Sequence, residues 1–442
     1  DISLQVALLS GESVELRACL ADSVNALRLQ TQHRLGVKVS SLVAADGRLL
    51  KGSCSVADGG LQDGDTISAI LRKACIVPSH KAAAFALIRS DGSVVSWGMP
   101  NWGGDSSAVQ NELTDVQIVE ASMKAFAAVR GDGTVITWGD GPSGGDSSRV
   151  RDELHEVWQL QASDGAFAAV RDDGTVVTWG HPRHGGDSRH VQGQLRDVQQ
   201  LQANKGAFAA ILGNGTVVTW GDAKRGGDCT SVRQDLVQVQ QIEASKGAFA
   251  AIRSDGRVVT WGYAKVGGDS SLVQDLLRRV AQITATEGAF AAILENGSVI
   301  TWGEDRLGGD CSLVSGELKE VHQIQASKGA FAAIRADGSI VTWGDPKRGG
   351  DAAYVHHQLR DVKQLEASGG AFAAILGDGH VVTWGYAGAG GDSSQVQHQL
   401  QDVQRIHASA GAFAAVCSDG SVVTWGQTHM GGDSSAVQEQ LR

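Results

Sequence analysis

A carboxylate follows a pair of glycines nine times in this chain, at Asp105, Asp146, Asp187, Asp228, Asp269, Asp310, Asp351, Asp392 and Asp433. Carboxylates on glycine-rich backbone are one way to hold calcium. Calcium-binding β-helix motifs, however, recur roughly every nine residues, and these recur every 41. One carboxylate per unit also falls short of the about six oxygen ligands the ion takes. Capping a short helix is the plainer use of Asp-Ser-Ser at such a place. The thirteen histidines are scattered, and His356-His357 is an adjacent pair without an i, i+4 partner. No His-Glu-x-x-His, nucleophile elbow or phosphate loop is present. Gly377-Asp378-Gly379 and its equivalents read as hairpin turns. The chain therefore shows no catalytic set, no metal site and no cofactor motif, and it is expected not to be an enzyme.

What the chain does show is regularity. The Trp of a Trp-Gly pair falls at 97, 138, 179, 220, 261, 302, 343, 384 and 425, every step being 41 residues. A fixed period of this size marks a repeat architecture. Residues 74–442 hold nine such units, and residues 1–73 hold none. Within a unit, Val116-Gln117-Ile118 and Ala125-Phe126-Ala127-Ala128-Val129 read as strands. Gly131-Asp132-Gly133 is a hairpin turn, and Thr134 to Trp138 a third strand. After Gly144-Gly145, Asp146-Ser147-Ser148 reads as the start of a short helix with Val150, Leu154 and Val157 on one face. The position between Val150 and Leu154 is polar or Gly in every unit, which argues against a fourth strand. One Phe and one Trp per unit, flanked by Ala, predict closely stacked sheets that need their neighbours to bury an apolar face. Ala74 to Val77 matches the strand type that would follow Leu441, so the spacing predicts ring closure, with an open superhelix as the alternative.

The balance of charge narrows the class of partner. The net charge is −11. Residues 1–73 carry 8 basic and 8 acidic side chains, so the repeats carry the excess. Nucleic-acid binding through phosphate neutralisation is not expected. No apolar run reaches membrane-spanning length, so no membrane contact is expected either. The six cysteines show neither pairing nor metal spacing, which fits reduced thiols. A cytoplasmic setting is expected, with nucleus or organelle as alternatives.

Residues 1–73 read as α+β. Ile2, Leu4, Val6 and Leu8 alternate, as do Val14, Leu16 and Ala18. Asp22-Ser23 caps a helix with Val24, Leu27 and Leu35 on one face, ended by Gly36. Leu42-Val43, Leu49-Leu50 and Ile67, Ala69, Leu71 complete the strands. The run through Ser10-Gly11, Asp46-Gly47-Arg48-Leu49-Leu50 and Gly64-Asp65-Thr66-Ile67 resembles the ubiquitin-like β-grasp family. That resemblance places the family's apolar recognition patch on Leu9, Ala44 and Ile70, with Ala44 smaller than the residue expected there. The chain reads Leu71-Arg72-Lys73-Ala74-Cys75 and runs on, without the terminal Gly-Gly that conjugation needs.

The core Phe-Ala-Ala-Ile…Asp-Gly-Ser-Val-Val-Thr-Trp-Gly resembles the repeat of the RCC1-like β-propeller family. Here Gly-Gly-Asp-Ser-Ser replaces that family's Gly-Gln-Leu-Gly, and the units are shorter and more numerous. The expected fold is an α+β ubiquitin-like domain (1–73) and a mainly β propeller of nine units (74–442), each with three strands and a short helix.

Variation concentrates in the four residues after Trp-Gly, from Met-Pro-Asn-Trp at 99–102 to Gln-Thr-His-Met at 427–430. Binding residues gather on loops held by a rigid frame; drift at exposed positions is the plain alternative. Trp102 and Tyr263 are the best contact candidates, because aromatics dominate interface hot spots, although Trp102 has the neighbouring first domain as an alternative partner. Trp158 stands where most other units carry polar or small residues, and is expected to face outward. The expected function is a non-enzymatic scaffold whose repeat rim holds a protein partner, coupled by the first domain to ubiquitin machinery. The alternatives are a structural subunit of a large assembly, and a fragment of a ubiquitin ligase or guanine-nucleotide exchange factor.

Overall fold

The computed structural model describes residues 1–8, 12–37, 39–50, 52, 54–71, 75–78 and 84–435. They form two compact units, Asp1–Leu201 and Gln202–Arg442.

The first unit opens with a five-stranded sheet. Strand β1 (Ile2–Leu8) buries Leu4, Val6 and Leu8 on one face, as its alternation predicts. It pairs antiparallel with β2 (Ser13–Ala18) and parallel with β5 (Thr66–Leu71). Strand β3 (Val39–Val43) lies against β5, and β4 (Leu49–Leu50) completes the order β2-β1-β5-β3-β4. Helix α1 (Val24–Leu35) starts at Ser23, whose Oγ accepts the Ala26 amide at 3.1 Å, and stops at Gly36 with φ 67°. Its buried face is Val24, Leu27, Arg28 and Thr31. Leu35 is only partly buried, so the apolar stripe is shorter than the sequence predicts. Thr31 fits the core because its hydroxyl donates to the Leu27 carbonyl at 2.9 Å.

The repeats follow. Among the described residues they give nine three-stranded antiparallel sheets, each built from contiguous sequence. The first comprises β6 (Cys75–Pro78), β7 (Ala84–Ile88) and β8 (Val94–Gly98). The second comprises β9 (Val116–Ala121), β10 (Ala125–Arg130) and β11 (Val135–Gly139). Phe126 lies opposite both Trp138 and Ala121, and the register slips at Val129/Arg130 in a bulge. The expected closure argument does not hold. Strand β6 pairs with β7 of its own unit, and the last sheet (Val403–Ala408, Ala412–Cys417, Val422–Gly426) has all three strands. Among the described residues no sheet takes a strand from the other end of the repeats, and none closes on itself.

The expected short helix is a 3-10 turn, Ser148–Glu153 in the second unit of the repeat and three residues in several others. Ser147 makes no cap. Asp146 Oδ1 instead accepts the Ser148 amide at 2.9 Å, so the side-chain bond at the start comes from Asp146, and the backbone after it winds as a 3-10 turn. The turn ends at Glu153 with Leu154 as its C-cap, and Glu156, at φ 55°, leads into the next strand. Leu154 still points inward, as expected.

Phe and Trp carry the stacking. In every unit their rings are stacked, tilted by 12–26° with centroids 5.1–5.4 Å apart. Trp179 Nε1 donates to the carbonyl of Gly144, one unit earlier, at 2.9 Å. A Cβ on Gly144 would lie 2.5 Å from the Phe167 ring, so only Gly lets the two units approach. One cluster thus joins Ala125, Ala127 and Val129 of one sheet to Leu160, Phe167 and Trp179 of the next.

Candidate protein-binding edge

An antiparallel hairpin puts its turn at one end and its exit at the other. In the sheet of Ala248–Arg253 and Val258–Gly262, Ile252 faces Val258 beside the Asp255-Gly256 turn, and Ala248 faces Gly262 beside the variable loop. The loop is held on both sides. Gly262 has φ 104° and Gly267 φ 95°, conformations that suit glycine. Between them Ala264–Val266 makes one 3-10 turn, and the same turn recurs at Ala223–Arg225, Asp305–Leu307 and Pro346–Arg348. The frame is fixed and the four loop side chains are free to differ.

In the second unit adjacent loops share an edge. The Lys246 amide donates to the Glu287 carbonyl at 3.0 Å, Glu287 to Lys328 at 3.0 Å, and Lys328 to Gly369 at 3.2 Å. This backbone ladder runs across the sheets at their loop ends. A Cβ on Gly247 would sit 3.6 Å from Arg225 Cγ and 3.5 Å from Val266 Cγ2, so two successive loops meet there. Lys205 Nζ reaches Glu287 at 3.2 Å, and Lys246 Nζ reaches Glu304 at 3.7 Å.

The predicted contact residues fall in different settings. Tyr263 opens its loop and is 49% exposed. Trp102 is half-buried against the cluster that holds Leu113, Phe126 and Trp138, with the Lys124 ammonium 5.1 Å above its ring. It packs on the repeat core. Trp158 lies in the strand Val157–Ala162, away from the loops. It is half-buried rather than outward-facing, because its Nε1 donates to the Arg171 carbonyl at 3.1 Å. Ile70 is 43% exposed on β5 and Ala44 is partly buried against the first domain's core. Leu9 lies outside the described residues. Trp102, Trp158, Ala44 and Ile70 belong to the first unit and Tyr263 to the second.

The aspartates of the Gly-Gly-Asp motif are structural in their local bonds. Asp269 and Asp310 take the amides of Ser271 and Ser312, which hold their carboxyls below the usual range. Asp187 is lowered to about 2 by its bonds from the Arg189 side chain and amide. Among the described residues no group of three or more His, Cys, Asp or Glu is placed to hold a metal. None of their helices is long and apolar enough to cross a membrane.

Sequence reading missed one feature. Leu272 and Leu313 are 99% and 98% exposed, and Tyr354 is 61% exposed. They occupy one register position in consecutive units, where other units carry Ala108, Arg149, His190, Ser231 and Gln395. Aligning the units position by position would have exposed them.

The fold is that of a mainly β repeat protein assembled from three-stranded sheets. No family model matches the chain, and no curated protein matches it. Among solved structures, human WBSCR16 is similar at 17% identity, with 54% of this chain and 82% of that one covered and a TM-score of 0.36. Prp20p from Saccharomyces cerevisiae, described with its binding to Gsp1p and histones, is similar at 17% identity. There 54% of this chain and 73% of that one are covered, with a TM-score of 0.33. Prp20 is yeast RCC1. The computationally designed Ika8 is 15% identical, with coverage of 70% and 96% and a TM-score of 0.33.

Proposed function

We propose that the chain is a non-enzymatic scaffold whose loop edge holds a protein partner. The observation that carries this reading is the contrast between frame and loop. The glycines, Phe and Trp that position each loop are constant, while the four residues between Gly262 and Gly267 and their equivalents differ in every unit. A rigid frame with divergent loops is how binding surfaces are built. The first domain supplies the coupling. Its strand order, with β1 parallel to β5 and one helix across the sheet, supports a ubiquitin-like reading, and Ile70 is exposed for contact. Giving every unit the loop found at 386–389 tests the edge. Capture of a partner from a native extract should be lost, and unchanged capture would rule the edge out.

A structural-subunit reading has its own observation. Arg28 of α1 is buried and donates to Val39 O at 2.9 Å and to Asp115 Oδ2, at the start of the second sheet, at 2.5 Å. A first domain tied to the repeats in this way suits packing in an assembly. Migration as a free monomer in a native extract would count against it.

A further inference from the structure

We propose that the second unit binds an extended peptide segment of a partner that alternates acidic and apolar residues, laid across the fourth to seventh repeats of the chain. This rests on the scaffold reading and names the chemistry of its partner. Two rows define the surface. Lys224, Lys265, Arg306 and Lys347 occupy the third loop position of four consecutive units. All four are exposed, and none pairs with a carboxylate among the described residues. The surrounding unit is acidic: residues 202–442 carry 20 Lys and Arg against 25 Asp and Glu, a net of −5. A row of unpaired cations on such a background is a local field for anions. The second row is Leu272, Leu313 and Tyr354, whose exposure leaves apolar area in water that a partner would cover.

The fold puts both rows on one face. In the first unit a groove of about 540 Å³ is lined by Asn101, Asp105, Ala108 and Glu112 of one repeat and Gly139 of the next. Asn101 is the register equivalent of Lys265, and Ala108 that of Leu272, each four units of 41 apart. In the second unit the Gly385 amide donates to Tyr354 Oη at 3.3 Å, so the apolar row reaches onto the next repeat's loop as Ala108 reaches Gly139. In sequence Asp269, Asp310 and Asp351 fall between the two rows, and their register equivalent Asp105 lines the groove of the first unit. The leucines favour peptide over nucleic acid, since aliphatic side chains give bases no stacking surface.

The probe is a fluorescent peptide of about twelve alternating Glu and Leu residues. At ~3.3 Å per residue it is about 40 Å long when extended. It is titrated against the full chain by anisotropy. Expected is saturable binding that weakens with salt. It should weaken by about ten-fold or more in Lys265→Glu/Arg306→Glu and likewise in Leu272→Ser/Leu313→Ser. These side chains are exposed, so circular dichroism should show both variants folded. An alternating Lys and Leu peptide and a single-stranded oligothymidylate should not bind. No binding of the Glu and Leu peptide, binding indifferent to both double variants, or equal binding of the oligonucleotide would overturn the inference. Loop-dependent capture of a partner that survives both double variants would overturn it too, and would leave the scaffold reading standing.

Discussion

A Gly, a Phe and a Trp in each repeat set the contact between sheets, and each can be tested singly. Gly308 has φ 99°, and a Cβ there would lie 2.5 Å from Phe331 Cδ2. Gly308→Ala should cost about 3 kcal/mol or more by denaturant unfolding, from strain and collision together. Trp343 Nε1 donates to Gly308 O at 3.1 Å. Trp343→Phe keeps the ring stack but leaves that buried carbonyl unmet, and should cost about 1–2 kcal/mol. Glu243 gives a test by pH. Burial pushes its carboxyl above the ordinary 4.5, against a bond from Gln241 at 3.0 Å. A raised carboxyl contributes stability below the unfolded value and loses it as pH rises through the folded one. Glu243→Gln should therefore be more stable than the parent at pH 7 and no more stable below about pH 4. A gain that persists in acid would place its origin elsewhere. Single residues were partly legible in the sequence: Phe, Trp and the glycines announce themselves by period. The half-burial of Trp158 does not, because it depends on one bond to a carbonyl in the adjoining strand.

The elements were legible to the extent that pattern decides them. Strand alternation and Asp-Gly turns gave the hairpins, and Ser23 and Gly36 marked both ends of α1. The 3-10 turns were not foreseen, because the bond from the Ser148 amide to Asp146 serves a 3-10 turn and the start of an α-helix alike. Nor was the tie between α1 and β9. A lone arginine on an amphipathic helix looks solvated, yet Arg28 Nη2 bridges Asn25 at 2.7 Å and Asp115 at 2.5 Å. Asp115 has φ 53° and sits a quarter exposed, so the pair is not deeply buried. Asp115→Ala strands the Arg28 guanidinium and should cost about 2 kcal/mol. The double variant Arg28→Met/Asp115→Leu should recover much of that loss. Strict additivity of the two single changes would show that the pair is not coupled.

At the scale of the whole molecule, the apolar clusters described within the repeats join neighbouring sheets, so the stability of the repeats should behave as a chain of local terms. Phe331→Ala should cost about 3–5 kcal/mol locally and broaden or split the unfolding transition rather than shift it whole. The 41-residue period was plain from the sequence. The strand assignment at the ends was not, because the period alone does not say where a unit begins. The central claim is that partners meet the loop edge. Its most direct test is photocrosslinking from the full chain in a native extract, comparing Tyr263→benzoylphenylalanine with Ser254→benzoylphenylalanine. The two positions sit at opposite ends of one hairpin. A discrete crosslinked partner from position 263 and none from 254 is the predicted result. A partner crosslinked from 254 alone, or equally from both, would contradict the claim.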